Sequence, residues 1–533
     1  MKAGPGGGSA SSASRLCLCL AGATLEQDAE LLRRERGYVD LAELQADFLQ
    51  PGELPHLARF PALVDLPVIL SLRRAGDGGQ WRGAEADRRR LLREALGASG
   101  LRAGGGRRYA FVELEHDLQD PALEEAARAG GCRLIRSLHH LGGVPIDLAA
   151  RVRRLARAVQ PRGGSPGGLP KIVVGVHGSR DQRRLVEAFR ELRVVEKILL
   201  GMGEFGSFSR ILAGRLGSWL AYCRPEGAAG PGLASGEAPA AGAEQPDART
   251  LVELYRFRQI GPRTALYGVV GNPIAHSLSP RLHNPGFAAL GLDAVYLPFL
   301  ADELAAFLRA AGALGVQGLS VTVPFKQRAL RLAASAQEEA LAAGAANTLL
   351  AAAGGRGKWR AANTDVGGFL APLEREAPDA LRPGATAVVL GAGGAARAVV
   401  YALAGRGLRV LVLNRTPARA RALARRFRAA WGGLGARAAE AIARLGAGPA
   451  LIVQATTVGL GGAGDPLPEY SFRGEEVAYD LVYGPQPTSF LSRARAAGCR
   501  TIGGWSMLRA QAQAQFRLFT GCELPEPGRD PAP

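Results

Sequence analysis

At 533 residues the chain has room for two to four domains, each large enough to bury a core of its own. Hydrophobic content of 47% against 21% charged is ordinary for globular protein, and no apolar run reaches the ~18 to 20 residues of a membrane helix, so a helical membrane protein is excluded. A net charge of +18 leaves a basic nucleic-acid binder as an alternative, but the basic residues are spread along the chain without an interleaved aromatic platform, and 61 of the 66 are arginine, a compositional drift towards Arg, Ala and Gly.

The scarcity of lysine is informative. Arginine keeps its proton in a protein, whereas lysine can become a neutral amine and act as nucleophile or proton carrier. Lys171 and Lys326 both lie at strand ends and stand out for chemistry, while Lys2, Lys197 and Lys358 lack such a setting and read as solvated. Six cysteines without a CxxC pair read as free thiols in a reducing compartment, with no metal expected; Cys17 and Cys19 alternate in an apolar strand pattern and read as core. Residues 1–14, MKAGPGGGSASSAS, form a flexible N-terminus that fits the remnant of an organelle transit peptide but is too short and too poor in arginine to establish one.

From 15 to 224 eight short apolar runs alternate with helical stretches such as EADRRRLLREALG: RLCLCL, YVDLAEL, PVILSLR, YAFVELE, CRLIRSL, PKIVVGV, VVEKILL and SWLAY. Eight β-α alternations predict an α/β fold of the (β/α)8 barrel type; an open doubly wound sheet is the alternative, less favoured because no strand leads into a glycine-rich phosphate turn. Barrel chemistry sits at the C-terminal strand ends. There the sequence offers Glu43, Arg73, Glu113, Glu115, His139, His140, Met202 and Arg210, with Lys171 early in its strand. A lysine, a histidine and two arginines at one mouth suggest amine chemistry on an anionic carbonyl compound. The plainer reading is a rim of ion pairs and a structural histidine.

SLHHLGGVP, LPKIVV, LSLRRAGDGG and GMGEFGSFSRILAGRLGS resemble segments of type I 3-dehydroquinate dehydratase, over about 15 to 245. The resemblance implies loss of water from 3-dehydroquinate, with Lys171 as the imine-forming amine and His139 as base and acid. Glu43, Arg73, Arg210 and Gln245 would contact substrate. Three positions depart from the pattern: Gln45 stands where arginine is usual, Asp77 where glutamate is usual, and Ala241 where the covering loop has serine. Losing a polar partner of a buried group costs ~1 to 3 kcal/mol, so a barrel decayed into a scaffold stays open as an alternative.

Residues 225–262 are a Gly/Ala/Pro-rich lid and linker, with Gln245 reaching back to the barrel. From 263 to 373 alternating strands and helices predict a small α/β substrate domain. GNPIAHSLSP puts the hydroxyls of Ser277 and Ser279 on one loop, suited to a carboxylate, and SVTVPFK ends a strand with Lys326. Lys326 with Asp365 of NTDVGG suits proton donation to an alkoxide forming as hydride arrives; a surface salt bridge is the plainer reading, but Thr322 and Asn347 add hydroxyl-binding groups.

From 374 to 522, GATAVVLGAGGAARAVVYALAGRG is a strand, glycine turn and helix, the arrangement of a Rossmann dinucleotide-binding domain, with Gly391, Ala392, Gly393, Gly394 and Ala395 forming the turn. The second strand ends in Asn414, Arg415 and Thr416, with Arg419 following, where NAD enzymes carry an acid; a 2′-phosphate is favoured, hence NADP. Together GNPIAHSLSP, SVTVPFK, GAANTL, NTDVGG, GAGGAARA, NRT, ATTVG, YDLVYGPQPTSFL and MLRAQAQAQF closely resemble shikimate dehydrogenase, over about 264 to 522. This implies NADPH-dependent reduction of 3-dehydroshikimate by Lys326 and Asp365, with Tyr483 and Gln511 among the substrate contacts. A quinate dehydrogenase is a neighbouring alternative.

The order of the two halves resembles the fused enzymes of plants and algae, which implies a plastid location, a monomer acting on small-molecule substrates, and no nucleic acid or membrane partner. Residues 523–533 form a tail.

Overall fold

The computed structural model describes residues 14–97, 107–160, 167–193, 195–227, 245–352, 357–435, 437–445, 448–460, 462, 464–484 and 486–526. Ala241, the first thirteen residues and the end of the tail lie outside them. The chain divides into two compact units after Thr264.

The first unit is a parallel sheet of eight strands: β1 (Arg15–Leu20), β2 (Leu41–Gln45), β3 (Val68–Ser71), β4 (Phe111–Glu115), β5 (Arg133–His140), β6 (Leu169–Gly175), β7 (Ile198–Met202) and β8 (Leu220–Cys223). Its order is β7-β6-β5-β4-β3-β2-β1-β8, and the Trp219 N–H bond to the Lys197 carbonyl at 2.7 Å brings β8 beside β7, so the barrel is nearly closed. All eight strand-like runs are strands, because helices cover one face and the barrel interior the other, which favours continuous apolar runs.

Lys197 departs from the sequence reading. It is fully buried rather than solvated, and its ammonium donates to the carbonyls of Leu192, Val195 and Gly217 at 2.8, 3.3 and 3.0 Å. Those carbonyls follow the helix Ser179–Glu191 and precede β8, so a compact three-donor cation joins two segment ends. Burial pushes its pKa down to about 8. Lys358 is exposed. Of the two cysteines read as core, Cys17 is buried and Cys19 is partly exposed.

The second unit holds two six-stranded sheets. One contains β9 (Ala265–Gly271), β10 (Ala294–Leu300), β11 (Val316–Val321), β12 (Ser335–Ala336), β13 (Thr348–Ala351) and β14 (Trp359–Ala362), in the order β10-β9-β11-β13-β14-β12. The other contains β15 (Thr386–Leu390), β16 (Arg409–Asn414), β17 (Ala430–Gly433), β18 (Leu451–Gln454), β19 (Val477–Asp480) and β20 (Arg500–Ile502). Its all-parallel order, β17-β16-β15-β18-β19-β20, reverses direction between β15 and β18, which is where a doubly wound sheet opens a ligand crevice. No helix among the described residues is long and apolar enough to cross a membrane.

Candidate active sites

Alternation along the barrel strands stacks polar side chains above an apolar floor. Cys17, Leu41, Ile135, Leu169 and Leu220 belong to that floor; two residues on along the same strands stand Cys19, Glu43, Ser137, Lys171 and Tyr222. Ladder register sets them level, pairing Cys19 with Glu43 and Ser137 with Lys171.

Lys171 is 2% exposed. Its Nζ donates to Glu113 Oε2 at 2.6 Å and to the Tyr222 hydroxyl at 2.8 Å, and lies 3.7 Å from Glu43 Oε2. Arg73 Nη2 donates to Glu43 Oε1 at 2.9 Å and to Glu113 Oε1 at 3.3 Å. Two cations thus share two carboxylates where little water reaches, the condition under which buried charges are tolerated. His139 joins the group with Nε2 3.8 Å from Glu113 Oε1.

Electrostatics assign the protons. Burial alone would raise the Glu113 pKa, but Lys171 and then Arg73 outweigh it and hold the carboxyl well below its usual range. His139 is driven well below the usual imidazole value by burial, with Arg73 and Lys171 adding to it, so the ring is neutral and able to accept a proton. A buried amine beside a neutral imidazole can attack a carbonyl carbon and move protons around it.

Of the residues singled out in the barrel, Glu43, Arg73, Glu113, His139 and Lys171 come together. Arg210 is buried, with Nη1 donating to the Gly201 carbonyl at 2.6 Å. Gln245 reaches β1, accepting from Cys19 Sγ at 3.5 Å, while its own carbonyl accepts from Arg224. Glu115 pairs with Arg88 at 3.0 Å and His140 Nδ1 meets the Gly143 carbonyl, so neither belongs to the cluster. Asp77 holds Arg74 at 2.6 Å, and Gln45, partly buried, closes β2. Sequence reasoning offered Glu113 among the strand-end charges without giving it a role, and did not select Tyr222. Both lie two residues on from an apolar barrel residue of the same strand, Phe111 and Leu220, so strand alternation was the available signal.

In the second unit Lys326 opens the helix Lys326–Leu332, just past β11, and its Nζ donates to Asp365 Oδ2 at 2.5 Å. Asp365 begins the helix Asp365–Glu376 and is 3% exposed. Asn347 Nδ2 donates to Asp365 Oδ1 at 2.8 Å and lies 3.4 Å from Gln511 Oε1, which gathers four of the expected residues. Ser279 begins the helix Ser279–Ala289, and its N–H reaches Ser277 Oγ at 3.4 Å. Thr322 is partly exposed in the turn before Lys326. Tyr483 packs against Leu282, Leu508 and Ala512, and burial raises its phenol pKa. A chain that the sequence did not signal runs alongside: Tyr296 donates to Ser320 at 2.5 Å, and Ser320 to Gln515 Oε1 at 2.7 Å.

The glycine turn lies at the crevice between β15 and β18. Gly391 has φ 114°, and a Cβ there would stand 2.8 Å from the Ala455 carbonyl oxygen, so backbone and not side chain lines this point. Gly393 precedes, and Gly394 and Ala395 begin, the helix Gly394–Gly405, leaving its first N–H groups open to an anion; Ala392 lies between the glycines. A Cβ on Gly394 would stand 2.6 Å from Lys326 Cβ. Asn414 ends β16 with Nδ2 donating to the Thr416 carbonyl, and Arg415, Thr416 and Arg419 are exposed. The bare cradle and exposed guanidinium groups fit a dinucleotide carrying an extra phosphate. Among the described residues no group of His, Cys, Asp or Glu could hold a metal ion.

Comparison with known proteins follows the same division. Residues 16–262 match the family model of type I 3-dehydroquinase, 269–349 that of the shikimate dehydrogenase substrate-binding domain, and 377–435 that of shikimate/quinate 5-dehydrogenase. A bifunctional 3-dehydroquinate dehydratase/shikimate dehydrogenase, chloroplastic, of Arabidopsis thaliana is 31% identical over 503 residues, covering 91% of this chain and 78% of the relative. A shikimate dehydrogenase (NADP(+)) of Oleidesulfovibrio alaskensis is 44% identical over 268 residues, 49% of this chain and 91% of the relative. One from Caulobacter vibrioides is 43% identical over 267 residues, covering 49% and 92%. With both sites built and a relative matched along nearly the whole chain, this protein belongs to the family of bifunctional 3-dehydroquinate dehydratase/shikimate dehydrogenases.

Proposed function

We propose that the chain catalyses two consecutive reactions, dehydrating 3-dehydroquinate in the barrel and reducing the resulting 3-dehydroshikimate to shikimate in the second unit with NADPH. The observation that carries the first is the buried Lys171 amine, held at 2.6 Å by Glu113 within reach of a neutral His139. Lys171 forms an imine with the substrate ketone, which acidifies the neighbouring C–H. His139 takes that proton and returns one to the departing hydroxyl. Arg73 and Arg210 supply positive charge for the carboxylate, Glu43 balances the cations, and Gln245 closes the mouth.

In the second unit Ser277 and Ser279 hold the carboxylate, while Thr322, Asn347, Tyr483 and Gln511 contact the ring hydroxyls. Lys326, oriented by Asp365, gives its proton to the oxygen of the forming alkoxide. The Gly391 to Ala395 turn, with Asn414, Arg415, Thr416 and Arg419, would hold NADP. When bound, NADPH supplies the hydride. The same reading puts the chain in the plastid stroma, the Arabidopsis relative being chloroplastic, and makes it a monomer acting on small molecules.

The test is to follow enone absorbance with 3-dehydroquinate alone, then NADPH oxidation after the cofactor is added. The expected result is 3-dehydroshikimate without cofactor, abolished by Lys171→Ala, and NADPH consumption lost in Lys326→Ala with the first step intact. NADPH oxidation only when 3-dehydroshikimate is supplied directly would overturn the barrel half and leave a dehydrogenase carrying a relic.

A further inference from the structure

The proposed imine chemistry requires Lys171 to point its lone pair at a ketone, and one partner of that amine has no part in the account above. Tyr222 lies on β8, opposite in the barrel to the carboxylate partner Glu113 on β4. Its hydroxyl is 2.8 Å from Nζ, and the ring centre is 4.4 Å from the same nitrogen. We propose that Tyr222 is a positioning residue for Lys171, its hydroxyl accepting the N–H that stays on nitrogen from amine to imine and so fixing the direction of the lone pair. This inference rests on the reading of Lys171 as the imine-forming amine.

The proton balance explains why one N–H needs a separate partner. An ammonium brings three protons. The nitrogen lone pair forms the C–N bond, the carbonyl π pair moves to oxygen, and that C–O bond then breaks as water leaves. Two of the three protons depart in that water and one remains on the imine nitrogen, so no outside proton or oxidant is needed.

The two close partners of Lys171 suit these different fates. Glu113 is anionic and lies beside His139, so its side of the amine is where protons can be passed on. The phenol of Tyr222 is kept neutral, because burial, reinforced by Glu43 and Glu113, pushes its pKa well above the usual value. A neutral hydroxyl accepts an N–H without removing it. It is also a fixed acceptor: Tyr222 is 5% exposed, and its ring packs in one apolar cluster with Ile198, Leu200 and Leu220. An amine tied at two points has one direction left for the substrate carbon, and such orientation is a recognised part of rate enhancement.

The experiment uses the full chain and traps the imine with borohydride during turnover of 3-dehydroquinate, reading the adduct mass after rapid quench. Tyr222→Phe keeps the ring and removes only the oxygen. Its trapping rate and kcat should both fall about tenfold, with KM within about twofold of the parent, because orientation is lost and not binding. Replacing Tyr222 by 3-fluorotyrosine, which keeps the shape and weakens the acceptor, should give an intermediate rate; this second variant decides the matter if the phenylalanine protein folds poorly. Trapping at the parental rate in both variants, or a change in KM alone, would overturn the proposal and leave Tyr222 as packing. No adduct in the parental protein would instead sink the Lys171 reading, and the role of Tyr222 with it.

Discussion

Replacing Glu113 by glutamine preserves size and one acceptor while removing the charge that ties the barrel site together. The carboxylate lies 2.6 Å from Lys171 and 3.3 Å from Arg73, and at an effective dielectric constant of ~20 each such pair is worth about 5 to 6 kcal/mol before desolvation is counted. Desolvation offsets part of this, and breaking a buried pair by removing one partner costs about 3 to 5 kcal/mol. In Glu113→Gln, two buried cations would share Glu43 alone, and His139 would lose the anion beside it. We expect the barrel to unfold with about 3 kcal/mol less stability and dehydratase kcat to fall about a hundredfold or more. Dehydrogenase activity, measured on 3-dehydroshikimate in the same preparation, should be retained. Enone formation without NADPH reads the first activity and denaturant melts read the stability. A variant within about threefold of parental kcat and with unchanged melting would refute the idea that this carboxylate anchors the site.

Three further outcomes are expected. Lys197→Met strands three buried carbonyls at ~1 kcal/mol or more each while relieving the burial of an ammonium, so urea unfolding of the barrel should show a net loss of about 2 kcal/mol at neutral pH. Burial of Asp480 raises its pKa from 3.8 to about 6; the folded state then holds an extra proton between those values, and stability should fall by up to about 3 kcal/mol as pH climbs from about 4 to about 6. Melting curves of Asp480→Asn across that range should be flatter than those of the parent, and parallel curves would count against the assignment. In Arg415→Ser the KM for NADPH should rise about tenfold or more while kcat/KM with NADH stays within about twofold; equal losses with both cofactors would point to general damage and not to a phosphate contact.

Strand alternation made the barrel legible, because eight apolar runs of similar length need no long-range information to recognise. The same alternation turns Glu113 and Tyr222 to the face that carries Lys171, but a sequence does not say which of several inward residues touch, and β4 offers both Glu113 and Glu115. Arg88, from a helix, claims Glu115 and leaves Glu113 to the amine. Retention of lysine against an arginine-rich background pointed to Lys171 and Lys326, yet gave the wrong account of Lys197. Three carbonyls converge on one point there, which a compact ammonium satisfies and a planar guanidinium would not. In the second unit the motif residues Lys326, Asp365, Asn347 and Gln511 were named from sequence, whereas the Tyr296, Ser320 and Gln515 chain joins segments about two hundred residues apart and left no local pattern.

The closeness of Gly394 to Lys326 makes the glycine turn and the proposed proton donor a single mechanical part. One added carbon at residue 394 would meet the root of the lysine side chain and not its mobile end, so the lysine could not simply swing aside. A substitution in the nucleotide turn would therefore register in kinetics as a defect in acid catalysis, with cofactor affinity a poor guide to the damage. On the proposed reading, this glycine sets the spacing between two reagents that must meet at the same carbonyl group.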